Sequence, residues 1–169
     1  MKNLIFLLTV SLILFNCGRK QTLVELKHFP ITNIDEVLSK SEGSIDTLIT
    51  SDGNGSLLVE ANKPMVVRLF EIKKPNVENA QLLYQAKVKT ENVEGKVYLE
   101  IWCGFTGLGE FFSRGLYNAL SGTKDWTTLQ APFFLKKGQN PDFIKLNIVI
   151  EGKGKVWIDD VHLFKGPIK

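Results

Sequence analysis

The sequence predicts an all-β chain folded as an antiparallel two-sheet β-sandwich, preceded by a short helical N-terminal segment. Three observations carry this expectation. From Ser44 onward, short runs with two-residue apolar alternation follow one another, separated by turn residues such as "DGNG" at 52–55 and "NVEG" at 92–95. Beyond Gly43, no run of about 10 residues or more has apolar residues at helical spacing. Without its leader the chain keeps about 150 residues, enough for one domain with its own core.

The leader is the stretch "MKNLIFLLTVSLILFNC", in which Lys2 precedes an apolar run from Leu4 to Phe15. That run is shorter than the ~20 residues that span a bilayer, so residues 1–16 read as a signal peptide. Leu14-Phe15-Asn16-Cys17 resembles the lipobox of bacterial lipoproteins, with Leu14 three residues ahead of the cysteine. Asn16 departs from the strictest form, which has a small residue there. The resemblance implies cleavage before Cys17, lipidation of its sulfur, and a membrane held through the lipid anchor. Gly18, neither acidic nor basic, resembles the pattern of lipoproteins passed to an outer membrane, so the expected address is the cell envelope. Residues 17–30 then form a lipidated tether, and 31–169 a single domain.

Composition narrows the functions. A net charge of +3, with no long basic run after "GRK" at 18–20, argues against nucleic acid as a partner. With Cys17 lipidated, Cys103 has no partner within the chain and reads as a buried, inert thiol. Only His28 and His162 could serve it as a base, and the spacing of Glu100 and Glu110 supports no glycosidase pair. The chain is not expected to be an enzyme.

In order along the chain, Ile31, Ile34, Val37 and Leu38 have helical spacing, which predicts one or two turns. "SIDTLITS", "SLLVEA" and "MVVRLFEI" follow as strands. "AQLLYQAKVKTE" and "KVYLEIWCGF" are predicted as a strand pair joined by "NVEG". Leu82, Tyr84, Ala86 and Val88 share one face of the first; Val97, Leu99, Ile101 and Cys103 share one face of the second. The segment 104–122, carrying Phe105, Phe111, Phe112, Arg114 and Tyr117, is expected to be the longest loop, either binding a ligand or plugging one end of the sandwich. "WTTLQAPFFL", "FIKLNIVIE" and "KVWIDDVHLF" bring the total to about eight strands.

The last run contains a phase slip. Val156 and Ile158 are two apart, as are Val161 and Leu163, but Ile158 and Val161 are three apart. A β-bulge at Asp159-Asp160 lets both pairs face one core. The carboxylates then leave at the sheet rim, where one accepts a backbone N–H or, alternatively, binds a hard cation such as Ca²⁺.

"TKDWTTLQAPFFLKKG" followed by "KLNIVIEGKGKVWIDDVHLF" resembles the C-terminal half of galactose-binding-like jelly rolls, most of all family 4/9-type carbohydrate-binding modules. The matching positions are Trp126, Gly152, Gly154, Val156, Trp157, Asp159, Asp160, Val161 and Leu163. The resemblance implies a jelly roll, a saccharide ligand, Trp126 packed on the core edge, and a structural Ca²⁺ held by Asp160. No matching N-terminal carboxylate strand is evident; Asp52 or Glu60 is the candidate partner.

Sugar recognition needs flat aromatic faces beside hydrogen-bonding groups. Alternation puts Tyr98, Glu100 and Trp102 opposite the core face of their strand, with Asn147 and Lys145 similarly placed on theirs. Trp157 opposes Val156 and Ile158, and Arg68 points outward between Val67 and Leu69. Tyr98, Glu100, Trp102, Asn147, Trp157 and Arg68 are therefore the candidate ligand-binding residues. The expected function is non-catalytic binding of a saccharide or other polar ligand. The alternative is an envelope protein partner held on the same surface, or a purely structural role.

Overall fold

A computed structural model describes residues 22–168. The segment expected to be a signal peptide, and Cys17, lie outside the described residues. Nine strands are present among the described residues: β1 Val24–Phe29, β2 Ser44–Asp46, β3 Ser56–Ala61, β4 Met65–Lys73, β5 Ala80–Phe105, β6 Gly109–Arg114, β7 Leu120–Leu135, β8 Phe143–Ile150 and β9 Gly154–Gly166. All pair antiparallel. The predicted helical segment is reduced to two short 3₁₀ turns, Ile34–Glu36 and Lys40–Glu42.

The sandwich is one sheet folded over through β5. The first half of β5 lies between β7 and β9, while its second half lies between β6 and β8. One layer therefore contains β2, β3, β9, β7 and the start of β5, with β1 on the far end of β9; the other contains β4, β8, the end of β5 and β6. The stretch expected as a hairpin at "NVEG" is thus one continuous strand that bends. Asn92 at φ 53 and Gly95 at φ 91 supply the turn chemistry that the sequence advertises. Pairing with β7 slips at the same place.

Burial follows the predicted alternation. Leu82, Tyr84, Ala86 and Val88 of one layer and Val97, Leu99, Ile101 and Cys103 of the other are all buried in a single core. The predicted bulge is present: Lys87 faces Asp159 and Gln85 faces His162, so one residue of β5 spans two of β9. Asp160 takes φ 49 there, and Val156, Ile158, Val161 and Leu163 are all fully buried. Losing the bulge would turn one apolar pair outward, at about 1.5–3 kcal/mol per side chain.

Three elements differ from expectation. β1 falls inside the segment expected to be tether, because Val24–Phe29 alternates well enough to pair with β9. The 104–122 segment is not one loop: β6 turns back onto β5, and its Phe111 and Phe112 are both exposed, which hides a strand from periodicity. Trp126 is only half-buried and does not join the core cluster, whereas Trp157 is buried.

Candidate saccharide groove on the outer face of one layer

Strand register assembles the site. Arg68 of β4 faces Asn147 of β8, Asn147 faces Glu100 of β5, and Glu100 faces Arg114 of β6. The row therefore crosses the whole layer. Two positions along on β8, β5 and β6, and three on β4, where the register shifts, Glu71, Lys145, Trp102 and Phe112 form a second row in the same order. Both rows lie on the face away from the core, because β5 and β8 alternate as predicted.

Segment 38–42 makes one wall of the groove. Leu38 N donates to Leu69 O and Ser39 N to Arg68 O, each at 3.0 Å, and Arg68 N donates to Ser39 Oγ at 3.0 Å. A depression of about 580 Å³ lies between this segment and Val66, Arg68, Lys145 and Asn147. It continues past Glu100, Trp102 and Glu110 in a second space of about 370 Å³ that shares the same four residues.

The polar groups are held in fixed positions. Glu100, 3% exposed, accepts from Trp102 Nε1 at 2.6 Å and from Arg114 Nε at 2.7 Å. Its carboxylate in turn holds the Arg114 guanidinium above its ordinary pKa. Arg114 lies 4.7 Å over the Phe112 ring, and Phe112 packs on Trp102 at 4.8 Å. Lys145 Nζ donates to both oxygens of Glu110, at 2.9 and 3.0 Å. Tyr98 is buried and donates to Glu151 at 3.1 Å; burial first, and then that bond, raise its pKa.

Two groups differ. Asn147 is 6% exposed, and no donor among the described residues reaches its Oδ1, while its Nδ2 is turned toward Glu100 at 3.5 Å. A buried carbonyl oxygen without a partner is costly, which sets this one apart from the other polar groups of the groove. Its neighbour Arg68 is exposed and pairs with no carboxylate among the described residues. An orphan acceptor and an unpaired donor fork thus lie side by side in the groove.

No family model matches the chain, and no curated protein matches it in sequence. Solved structures do. The CBM22-1 xylan-binding domain of Paenibacillus barcinonensis Xyn10C superposes with a TM-score of 0.58 at 10% identity, covering 88% of this chain and 99% of that one. The CBM22-1 and GH10 modules of Clostridium thermocellum xylanase 10B, complexed with xylohexaose, give 0.59 at 13% identity, covering 83% of this chain and 28% of that one. A family 30 carbohydrate-binding module gives 0.51 at 14% identity, covering 89% and 86%. The chain has the jelly-roll fold of carbohydrate-binding modules. At these identities the likeness is one of fold.

Within the jelly roll, five of the six candidate ligand residues share one layer: Arg68, Tyr98, Glu100, Trp102 and Asn147. Tyr98 is buried at the end of the set, beside Val149. Trp157 lies elsewhere. It belongs to β9 in the other layer, is 3% exposed, and donates from Nε1 to Asp46 Oδ2 at 2.9 Å. That bond is the first cause of the lowered Asp46 pKa, and the same carboxylate accepts from Leu48 N and Ile49 N, so the loop closes over the indole. Alternation identifies an outward face but not which layer bears it.

The candidate metal ligands Asp52 and Asp160 are also separated in role. Asp52 accepts from Asn54, at 2.8 Å from its N and 3.0 Å from its Nδ2. Asp160 instead accepts from His28 and His162. The bulge is capped by Asp159, fully buried, which accepts from Ser51 N at 2.8 Å and Asp160 N at 2.7 Å.

The candidate ligand set read from the sequence left out Arg114, Phe112 and Glu110; the first two were named only as part of a segment expected to be a binding loop or an end plug, not a strand in register with Glu100 and Trp102. Lys145 alone had a signal, the alternation of "FIKLNIVI".

Proposed function

We propose that this chain is a non-catalytic saccharide-binding domain, displayed on the cell envelope through a lipid at Cys17, and that its ligand lies in the groove between segment 38–42 and Trp102. The observation carrying the proposal is the buried, partnerless Asn147 Oδ1 next to the unpaired Arg68 guanidinium. A sugar hydroxyl accepts from the second, and a rotation of the Asn147 amide would bring the first within reach of a donor. The exposed part of Trp102 offers an apolar surface for a sugar face.

The same geometry argues against hydrolysis. Glu100 is held by Arg114 and Glu110 by Lys145, so each carboxylate is engaged by its own cation and neither is set up as the protonated acid that glycoside hydrolysis requires. The solved jelly rolls with similar folds are named as binding modules, which agrees with this reading.

A glycan array probed with the domain tests the proposal. Selective binding that Arg68→Ala weakens at least tenfold is expected. A protein-partner reading rests on one observation, the exposed Phe111, Phe112, Leu116 and Tyr117 along β6 and the turn after it. Silence across the array would favour that alternative.

A further inference from the structure

The only two histidines of the sequence meet on the outer surface of the other layer. Antiparallel pairing of β1 with β9 puts His28 directly opposite His162, and the rings stack at 4.1 Å with 2° between their planes. Asp160, turned by its positive φ at the bulge, brings Oδ1 to 2.9 Å from His28 Nε2 and 2.8 Å from His162 Nε2. Glu25, also on β1, places Oε2 2.9 Å from His162 Nδ1. Glu25, His28 and His162 each offer a ligand atom within 4.8 Å of one another.

We propose that His28, His162 and Asp160 bind a divalent d-block cation of the Zn²⁺ class, with Glu25 orienting His162 through Nδ1. Three kinds of observation support it. Both imidazoles already converge on Asp160 Oδ1, at 2.9 and 2.8 Å, within about 0.5 Å of the ~3.3 Å between neighbouring ligand atoms of a tetrahedron with bonds of about 2.0–2.1 Å. The donor types select the metal, since two imidazoles and a carboxylate suit Zn²⁺, Co²⁺ or Ni²⁺, whereas Ca²⁺ takes six to eight oxygens. The second shell is present too, because a carboxylate on the far nitrogen of a ligating histidine fixes its tautomer and ring direction. To share one ion the parallel rings must tilt apart. Their side chains, 40% and 19% exposed, have room to do so.

The consequence is mechanical. Among the described residues β1 pairs only with β9, and most of its residues are exposed. Ligands from both strands would clamp β1 onto the sheet, at the end of the domain that follows Cys17. The site is remote from the groove, in the other layer, so its occupancy and saccharide binding are separable.

The test uses the full chain in detergent, without a histidine tag. Zn²⁺ titrated by calorimetry should bind with a stoichiometry near one and raise the melting temperature by several degrees. Co²⁺ should give the visible absorption of a tetrahedral site. Ca²⁺ at the same concentration should do neither. His28→Ala and His162→Ala should each weaken Zn²⁺ binding about 100-fold, and His28→Gln, which keeps a donor for Asp160, should do the same while preserving the metal-free melting temperature. No heat with Zn²⁺ and no Co²⁺ spectrum would mean that the four side chains form only a hydrogen-bonded cluster, which overturns the proposal. Zn²⁺ binding that His28→Gln leaves unchanged overturns it equally.

Discussion

Replacing Arg114 with methionine isolates the charge that holds the groove's central carboxylate. Methionine keeps an unbranched stem against Phe112, over which the guanidinium lies at 4.7 Å, so packing is largely preserved. What disappears is the 2.7 Å bond to Glu100, whose side chain is 4% exposed. Breaking a fully buried pair typically costs about 3–5 kcal/mol, because a bare charge is left inside. Arg114 is itself 43% exposed, so water can reach the vacated position, and Trp102 still donates to Glu100. The expected loss is therefore about 1.5–3 kcal/mol. For a domain of this size that corresponds to a melting temperature lower by roughly 3–12 °C. Adding Glu100→Gln removes the stranded charge and should recover part of the loss, giving a coupling of at least ~1 kcal/mol in a double-mutant cycle. Urea denaturation of the four proteins is the assay. A single variant within about 0.5 kcal/mol of wild type would refute the claim that this ion pair holds the groove floor.

Further expectations follow from close contacts and buried groups. A Cβ at Gly152 would sit 1.6 Å from the backbone oxygen of Glu94, so Gly152→Ala should cost about 2–3 kcal/mol in a melting experiment; an unchanged melting temperature would show that the backbone there yields. Cys103 is fully buried and its thiol is pushed up to about 12 by burial, so it should ignore DTNB until the protein unfolds, and rapid native labelling would contradict that placement. Burial is the main reason that the Asp159 carboxyl lies above the usual carboxylate range, over the opposing effect of its bonds from Ser51 and Asp160. The folded chain thus binds that proton more tightly than the unfolded chain does. This group's contribution is complete below the unfolded value of about 3.9 and is lost as pH rises through the folded one. Asp159→Asn should remove that component from the pH dependence of stability; identical profiles would refute the shift.

The bulge in β9 was legible because it leaves a mark in one dimension: a step of three residues from Ile158 to Val161 where two is the rule. The faces of β5 and β8 were legible for the same reason, which is why Glu100, Trp102 and Asn147 come together as expected. Alternation carries no information about which layer a face belongs to, and so Trp157 was grouped with residues of the opposite layer. β6 left no periodic mark, since both Phe111 and Phe112 are exposed, and the register that sets Arg114 opposite Glu100 was missed with it. The long β5 looked like a hairpin because the chemistry of a tight bend, Asn92 and Gly95, is the same whether the chain reverses or folds over. The convergence of His28 and His162 depends on β1 pairing with β9, a long-range fact that neither segment encodes alone.

The most direct measurement is calorimetric titration of the chain with the best ligand from a glycan array, with xylohexaose as a defined probe. Wild type, Arg68→Ala, Asn147→Leu and Trp157→Phe would be compared. Saccharide binding in the groove predicts at least tenfold weaker affinity for the first two variants, since each removes a group facing the ligand, and no change for Trp157→Phe, which lies in the other layer. Saccharide affinity that survives both groove substitutions, or no saccharide binding by a correctly folded wild type, would contradict it.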